Sequence, residues 1–157
     1  MATATLAAGC FWGVEAALRL IPGVVSSEAG FMGGHVASPT SQQVGTGTTG
    51  HAEVVRIEYD PADLTYAELL SSFWKIHDPT QRDRQGPDIG NQYRSAIFVH
   101  DDEQERVARA SKRALEESGR HRAPIVTEIL PAAEFWRAEE RHQQVFEKRG
   151  LAPACNG

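Results

Sequence analysis

Thr3-Ala4-Thr5-Leu6-Ala7-Ala8-Gly9-Cys10-Phe11-Trp12-Gly13-Val14-Glu15-Ala16-Ala17-Leu18-Arg19-Leu20 changes its hydrophobic period in the middle. Thr3 to Ala8 is a short apolar run of the kind a buried strand uses, whereas from Phe11 the pattern is that of a helix, stopped by Pro22-Gly23. The segment therefore predicts a strand that passes through Gly9-Cys10 directly into a helix.

Farther along, Val55, Ile57 and Tyr59 alternate with Arg56 and Glu58, which predicts a half-exposed strand over Val54 to Tyr59 that ends at Asp60-Pro61. Thr65-Tyr66-Ala67-Glu68 is a capping box, and the helical spacing of Leu69, Leu70, Phe73, Trp74 and Ile76 after it predicts a second helix. A long polar loop from Thr80 to Tyr93 precedes a strand around Ser95 to His100, and loops of that length in small domains are often functional. A charged helix over Glu103 to Glu117, a strand at Ile125 to Leu130 and a helix over Ala132 to Lys148 are expected next. Residues 150–157 carry Pro153 and Cys155 without periodicity and read as a mobile tail. Strands and helices alternate irregularly and without repeats, so the fold class is α+β, an α/β roll: one mixed β-sheet flanked by helices, ending in an irregular C-terminal tail.

At 157 residues the chain is the size of a single domain, 1–157, able to bury a core without metals or structural disulfides. A net charge of -5 disfavours nucleic acid as a partner, and no stretch reaches membrane-spanning length. Two cysteines do not make a disulfide scaffold, so a reducing, cytoplasmic setting is expected, with any thiol chemistry catalytic or regulatory. Leu6-Ala7-Ala8-Gly9-Cys10 superficially matches a lipoprotein attachment site, but the few residues before it form no signal peptide.

Cys10 stands where a strand becomes a helix, and the unpaired amides and positive dipole end there favour a thiolate. Position alone fits a buried structural cysteine equally well. Phe11 and Trp12 beside it could wall an apolar pocket for a methyl or thioether, although aromatics at a helix start are often plain core.

Gly9-Cys10-Phe11-Trp12-Gly13 resembles the active-site signature of the methionine sulfoxide reductase A family. Gly30-Phe31-Met32-Gly33-Gly34, Pro39-Thr40, Thr49-Gly50-His51-Ala52-Glu53-Val54-Val55 and Tyr59-Asp60-Pro61 resemble further family blocks, in the family's order. Phe73-Trp74, His77-Asp78-Pro79-Thr80, Gln85 through Ser95, Ala138-Glu139 and His142-Gln143-Gln144 continue the match. The resemblance implies thiol-dependent reduction of methionine-S-sulfoxide, peptide-bound or free, with Cys10 as nucleophile and Glu53 as the acid that protonates the sulfoxide oxygen. Sulfoxide oxygen leaves poorly unless protonated, and burial near Phe11 and Trp12 would raise the Glu53 pKa enough to supply that proton. Phe11, Trp12, Asp88 and Tyr93 fall on the family's pocket positions, Tyr93 as a hydroxyl donor and Asp88 as a polar anchor. The resemblance also implies that Cys10 becomes a sulfenic acid, that Cys155 condenses with it to a disulfide, and that thioredoxin, or dithiothreitol in vitro, reduces the disulfide. No bound cofactor, no metal and a monomer are expected.

The chain departs from the family at Ser41, where a tyrosine usually follows the Pro-Thr pair, at Phe31, and in Arg141 through Phe146, which lacks the usual aromatic hydroxyls. Two other motifs mislead. Gly45-Thr46-Gly47-Thr48-Thr49-Gly50 fits a dinucleotide fingerprint, but no strand precedes it and a strand follows. His51-Ala52-Glu53 has the zinc-deaminase H-x-E form without its paired cysteines. Competing readings are a reductase of a small-molecule sulfoxide, a non-catalytic thiol redox sensor, and a cysteine hydrolase pairing Cys10 with His51.

Overall fold

The strand opening the chain, β1 (Ala2–Ala8), is buried on both faces from Ala4 onward, because Ala4, Leu6 and Ala8 enter one core while Ala7 enters another. Such a strand needs neighbours on both edges. It pairs antiparallel with β3 (Ala52–Tyr59) from Ala2 opposite Tyr59 to Leu6 opposite Val55, and with β6 (Ser95–Val99) on its other side. The computed structural model describes residues 1–150. Its main sheet has six strands in the order β7-β6-β1-β3-β2-β8, where β2 is Val24–Met32, β7 Glu128–Pro131 and β8 Trp136–Arg137. Only β6 and β7 run parallel within it, so the sheet is mixed, as expected.

Helices cover the larger core. The first, α1 (Phe11–Arg19), buries Phe11, Val14 and Leu18 at three- and four-residue spacing, each worth roughly 1.5–3 kcal/mol. α3 (Tyr66–Lys75) starts at the predicted capping box and buries Leu69, Leu70, Phe73 and Trp74; α4 (Asp102–Ser118) is capped by Asp101 and stopped by left-handed Gly119. Met32, Ala52, Val54, Ala96 and Phe98 form the smaller core on the opposite face, with Leu130, Ala132 and Phe135 packed against it.

The structure departs from the sequence reading in four places. β2 has no clean alternation and bulges between Val24 and Ser26, so its sequence hides a strand that pairing with β3 enforces. Its Gly30 is required by packing, since an added Cβ would lie 2.5 Å from the Phe135 ring and from the Trp136 carbonyl. Secondly, a short helix α2 (Ser41–Gly45) sits where the sequence predicted no element; Thr40 and Gln43 form its capping box. Thirdly, the loop from Thr80 to Tyr93 folds into a two-residue hairpin, β4 (Arg84–Gln85) with β5 (Asp88–Ile89), and a 3-10 turn over Asn91–Tyr93.

The fourth departure is the largest. No helix runs over Ala132 to Lys148; the segment forms β8, a 3-10 turn at Glu140–His142 and a short α5 (Val145–Arg149). Buried side-chain bonds override local preference there. Gln143 accepts from the Ala29 amide at 2.8 Å and donates to the carbonyls of Ala29 and Ala138, while Gln144 donates from backbone and side chain to buried Glu15. These bonds hold Gln144 at a φ of 46°, which a helix interior does not tolerate. β7 begins at Glu128 rather than at Ile125, because the Val126 amide donates to the Pro79 carbonyl at 2.9 Å, and it ends at Pro131.

His77 tests the core. Its Nδ1 donates to the Phe73 carbonyl at 2.8 Å and its Nε2 accepts from Ser95 Oγ at 2.7 Å, which defines a neutral ring, and burial pushes its pKa down to about 4. The unfolded chain takes up a proton there near pH 6.5 and the fold does not, so this stability is fully present above pH 6.5 and is lost as pH falls toward 4. The loss amounts to about 3 kcal/mol. Thermal melts across that window should show the slope in the wild type and a shallower one in His77→Gln.

Candidate active site

Gly9 makes the turn out of β1 with a φ of 112°, which disfavours any side chain there, and Cys10 holds the N-cap position of α1 with φ -56° and ψ 123°. The antiparallel register that stops at Leu6 opposite Val55 leaves Glu53, two residues farther along β3, level with this turn. The amide of Phe11 donates to Glu53 Oε1 at 3.1 Å. A strand start and a helix start are thereby joined by one bond.

Around this bond lies a cavity of about 520 Å³ lined by Cys10, Phe11, Trp12, Glu53 and Tyr93, together with Ser41, Gln42, Gly45, Arg141 and His142. Five of the predicted site residues thus meet in one pocket. Phe11 packs against Phe31 with ring centroids 5.6 Å apart, making an apolar wall. Asp88 is not in the cavity wall, but from the β4-β5 hairpin its charge reaches Cys10, Glu53 and Tyr93. Cys155 lies outside the described residues.

Desolvation raises the Glu53 carboxyl to about 7 against the pull of the Phe11 amide, with Asp88 adding to the rise. The acid is therefore half-protonated near neutrality, as the sequence reading required. Tyr93 is pushed up to about 12, mainly by burial and by the charges of Glu53 and Cys10, so its phenol remains a donor. Cys10 behaves differently from the expected thiolate. Burial, then the Glu53 charge, raise the thiol to about 11, with Asp88 contributing less, while the amides of Trp12 and Gly13 pull it down. The helix start acts in the expected direction and is outweighed, because a partly desolvated thiolate beside two carboxylates costs more than two amides return.

Sequence reasoning missed the opposite wall. Trp12 Nε1 donates to His142 Nδ1 at 2.9 Å, which leaves the ring proton on Nε2, 3.1 Å from Ser41 Oγ. Ser41 gives its single hydroxyl proton to Glu139 Oε2 at 2.8 Å, so it has none for a bound oxygen even through water. No spacing signal could join Trp12 to His142 across 130 positions; only the resemblance at His142-Gln143-Gln144 marked the segment.

His51 belongs to the scaffold. Its Nδ1 accepts from the Gly34 amide at 3.0 Å and its Nε2 donates to the Val36 carbonyl at 2.7 Å, so both ring atoms are occupied and the hydrolase pairing fails. The glycine repeat at 45–50 runs from α2 into β3, as its context required.

The sequence profile of the peptide methionine sulfoxide reductase family matches residues 2–156. This chain belongs to that family. It is therefore a peptide-methionine (S)-S-oxide reductase, an oxidoreductase. A peptide methionine sulfoxide reductase MsrA of Methanoculleus marisnigri is 63% identical over 147 residues, covering 94% of this chain and 90% of the relative. The enzyme's fold is similar to reduced Mxr1 of Saccharomyces cerevisiae, with 36% identity, a TM-score of 0.87 and coverage of 98% of this chain and 88% of that one. Mxr1 solved in complex with Trx2 matches at 30% identity and a TM-score of 0.63, over 90% and 83% of the two chains.

The electrostatics of the pocket are directly testable. In a Cys155→Ser background, thiolate absorbance at 240 nm should titrate near pH 11 for Cys10. Glu53→Gln removes a like charge and should move that titration to lower pH; an unmoved curve would show that the carboxylate does not act on the thiol.

Proposed function

We propose that this enzyme reduces methionine-S-sulfoxide by attack of Cys10 on sulfur, with Glu53 as the proton donor and Phe11, Trp12, Asp88 and Tyr93 as the substrate site. The observation that carries the reading is a carboxyl raised to about 7 beside a cysteine in one apolar-walled cavity. A methyl sulfoxide matches that surface. Its methyl group fits against Phe11 and Trp12, and its oxygen needs the donors that Glu53 and Tyr93 supply.

The proton balance closes within the site. As the Cys10 sulfur bonds to the sulfoxide sulfur, Glu53 protonates the oxygen and recovers a proton from the thiol. The oxygen then passes to Cys10, giving a sulfenic acid and methionine. Net, Cys10-SH and the sulfoxide become Cys10-SOH and the thioether. A thiol rather than a thiolate in the empty site is compatible with this chemistry, because the oxygen accepts the proton that the sulfur gives up. Substrate binding also expels the water that would compete for Glu53.

Cys155 completes the cycle by attacking the sulfenic acid, releasing water and forming a disulfide. Thioredoxin reduces it, a partner supported by the likeness to Mxr1 in its complex with Trx2. Residues 1–157 act as a single catalytic domain, with Cys155 on the tail 150–157. The enzyme works as a monomer in the cytoplasm; no helix among the described residues is long and apolar enough to cross a membrane.

With dithiothreitol and a racemic dabsyl-methionine sulfoxide, half of the substrate should be consumed; consumption of all or none would contradict an epimer-specific reductase. Cys10→Ser should abolish even a single turnover. Glu53→Gln should slow it on the order of 10² to 10⁴-fold, since an amide donates a hydrogen bond but no proton. An unchanged rate would place the acid elsewhere.

A further inference from the structure

The two walls of the pocket carry opposite charge. On one side stands Glu53, with Asp88 close enough to act on it; on the other the Arg141 guanidinium stands with the neutral ring of His142 around Ser41. Trp12 fixes His142, His142 donates to Ser41, and Ser41 accepts from Arg141 Nη2 at 3.2 Å. The serine that stands where a family tyrosine is usual thus serves as an anchor for a guanidinium.

That guanidinium is loosely balanced. The nearest Glu139 oxygen is 3.5 Å from Arg141, and the same carboxylate already takes the Ser41 hydroxyl at 2.8 Å and the Ser41 amide at 3.3 Å. The Arg141 side chain is 70% exposed at the pocket mouth. A second cation stands nearby, with the Arg149 guanidinium carbon 5.4 Å from the centroid of the Trp12 ring.

We propose that Arg141 reads a carboxylate on the substrate, making it a specificity residue. The carboxylate is either the terminal group of methionine sulfoxide itself or an acidic side chain next to it in a peptide. The planar fork of arginine suits a carboxylate, and Glu53 and Asp88 repel one, so the charge stays at the mouth while the sulfinyl group enters. The inference rests on the pocket being the sulfoxide site.

The test compares kcat/KM, with dithiothreitol as reductant, for N-acetyl-methionine sulfoxide against its methylamide, and for blocked peptides with Asp against Asn beside methionine sulfoxide. Wild type should favour the charged member by about two- to fivefold, less at high salt. Arg141→Gln should erase that preference while neutral substrates stay within about twofold, and Arg141→Lys should retain part of it. Loss in the first pair assigns the terminal carboxylate and loss in the second the acidic neighbour; either supports the proposal. Equal ratios in wild type and Arg141→Gln in both pairs, or an equal fall for charged and neutral members, overturn it. If wild type turns over no sulfoxide, charged or neutral, the reading of the pocket fails instead.

Discussion

The bond from the Phe11 amide to Glu53 Oε1 is the constraint on which the site is built. It satisfies an orphan donor of the first helical turn with a carboxylate, and it does so where burial opposes ionisation of that carboxylate. Its partners come from segments 42 positions apart, brought level only because β1 and β3 pair in the register that they do. A slip of one residue would turn Glu53 to the other face of the sheet, away from Cys10.

Buried polar groups hold the second half of the pocket. Glu15, though on the helix that begins beside Cys10, is 1% exposed and receives bonds from Ser27 and twice from Gln144. Gln143, fully buried, clamps the same stretch to Ala29 and Ala138. Between them they carry His142 to Trp12 and Arg141 to the pocket mouth. Each side chain is satisfied, so the arrangement resists replacement piece by piece: removing one partner leaves a buried carboxylate or amide unpaired, at about 1–3 kcal/mol.

The environment of Cys10 shows that effects correctly named from sequence still need magnitudes. Helix-start amides lower a thiol pKa and buried carboxylates raise it; both are present, and burial decides the balance. With its pKa near 11 the thiol stays protonated around neutrality, and the thiolate is the form that reacts with oxidants and alkylating agents. Glu53 gains from the same burial. One dry, carboxylate-rich corner thus holds the Glu53 carboxyl half-protonated near neutrality and Cys10 as a thiol.

Where local pattern and tertiary demand agreed, the sequence was sufficient. The period change at Gly9-Cys10 predicted β1 and α1, the capping box at Thr65 predicted α3, and the resemblance of ordered blocks marked Cys10, Phe11, Trp12, Glu53 and Tyr93, which meet in one cavity. Such signals act through neighbours in the chain, so they are legible there. The bulged β2, the broken path from Ala132 to Arg149, the Trp12-His142-Ser41 network and the balance of charge on Cys10 were decided only by tertiary structure. Each depends on polar groups far apart in sequence finding partners away from water, and the free energy of burying a charge or an amide is set by what surrounds it in space.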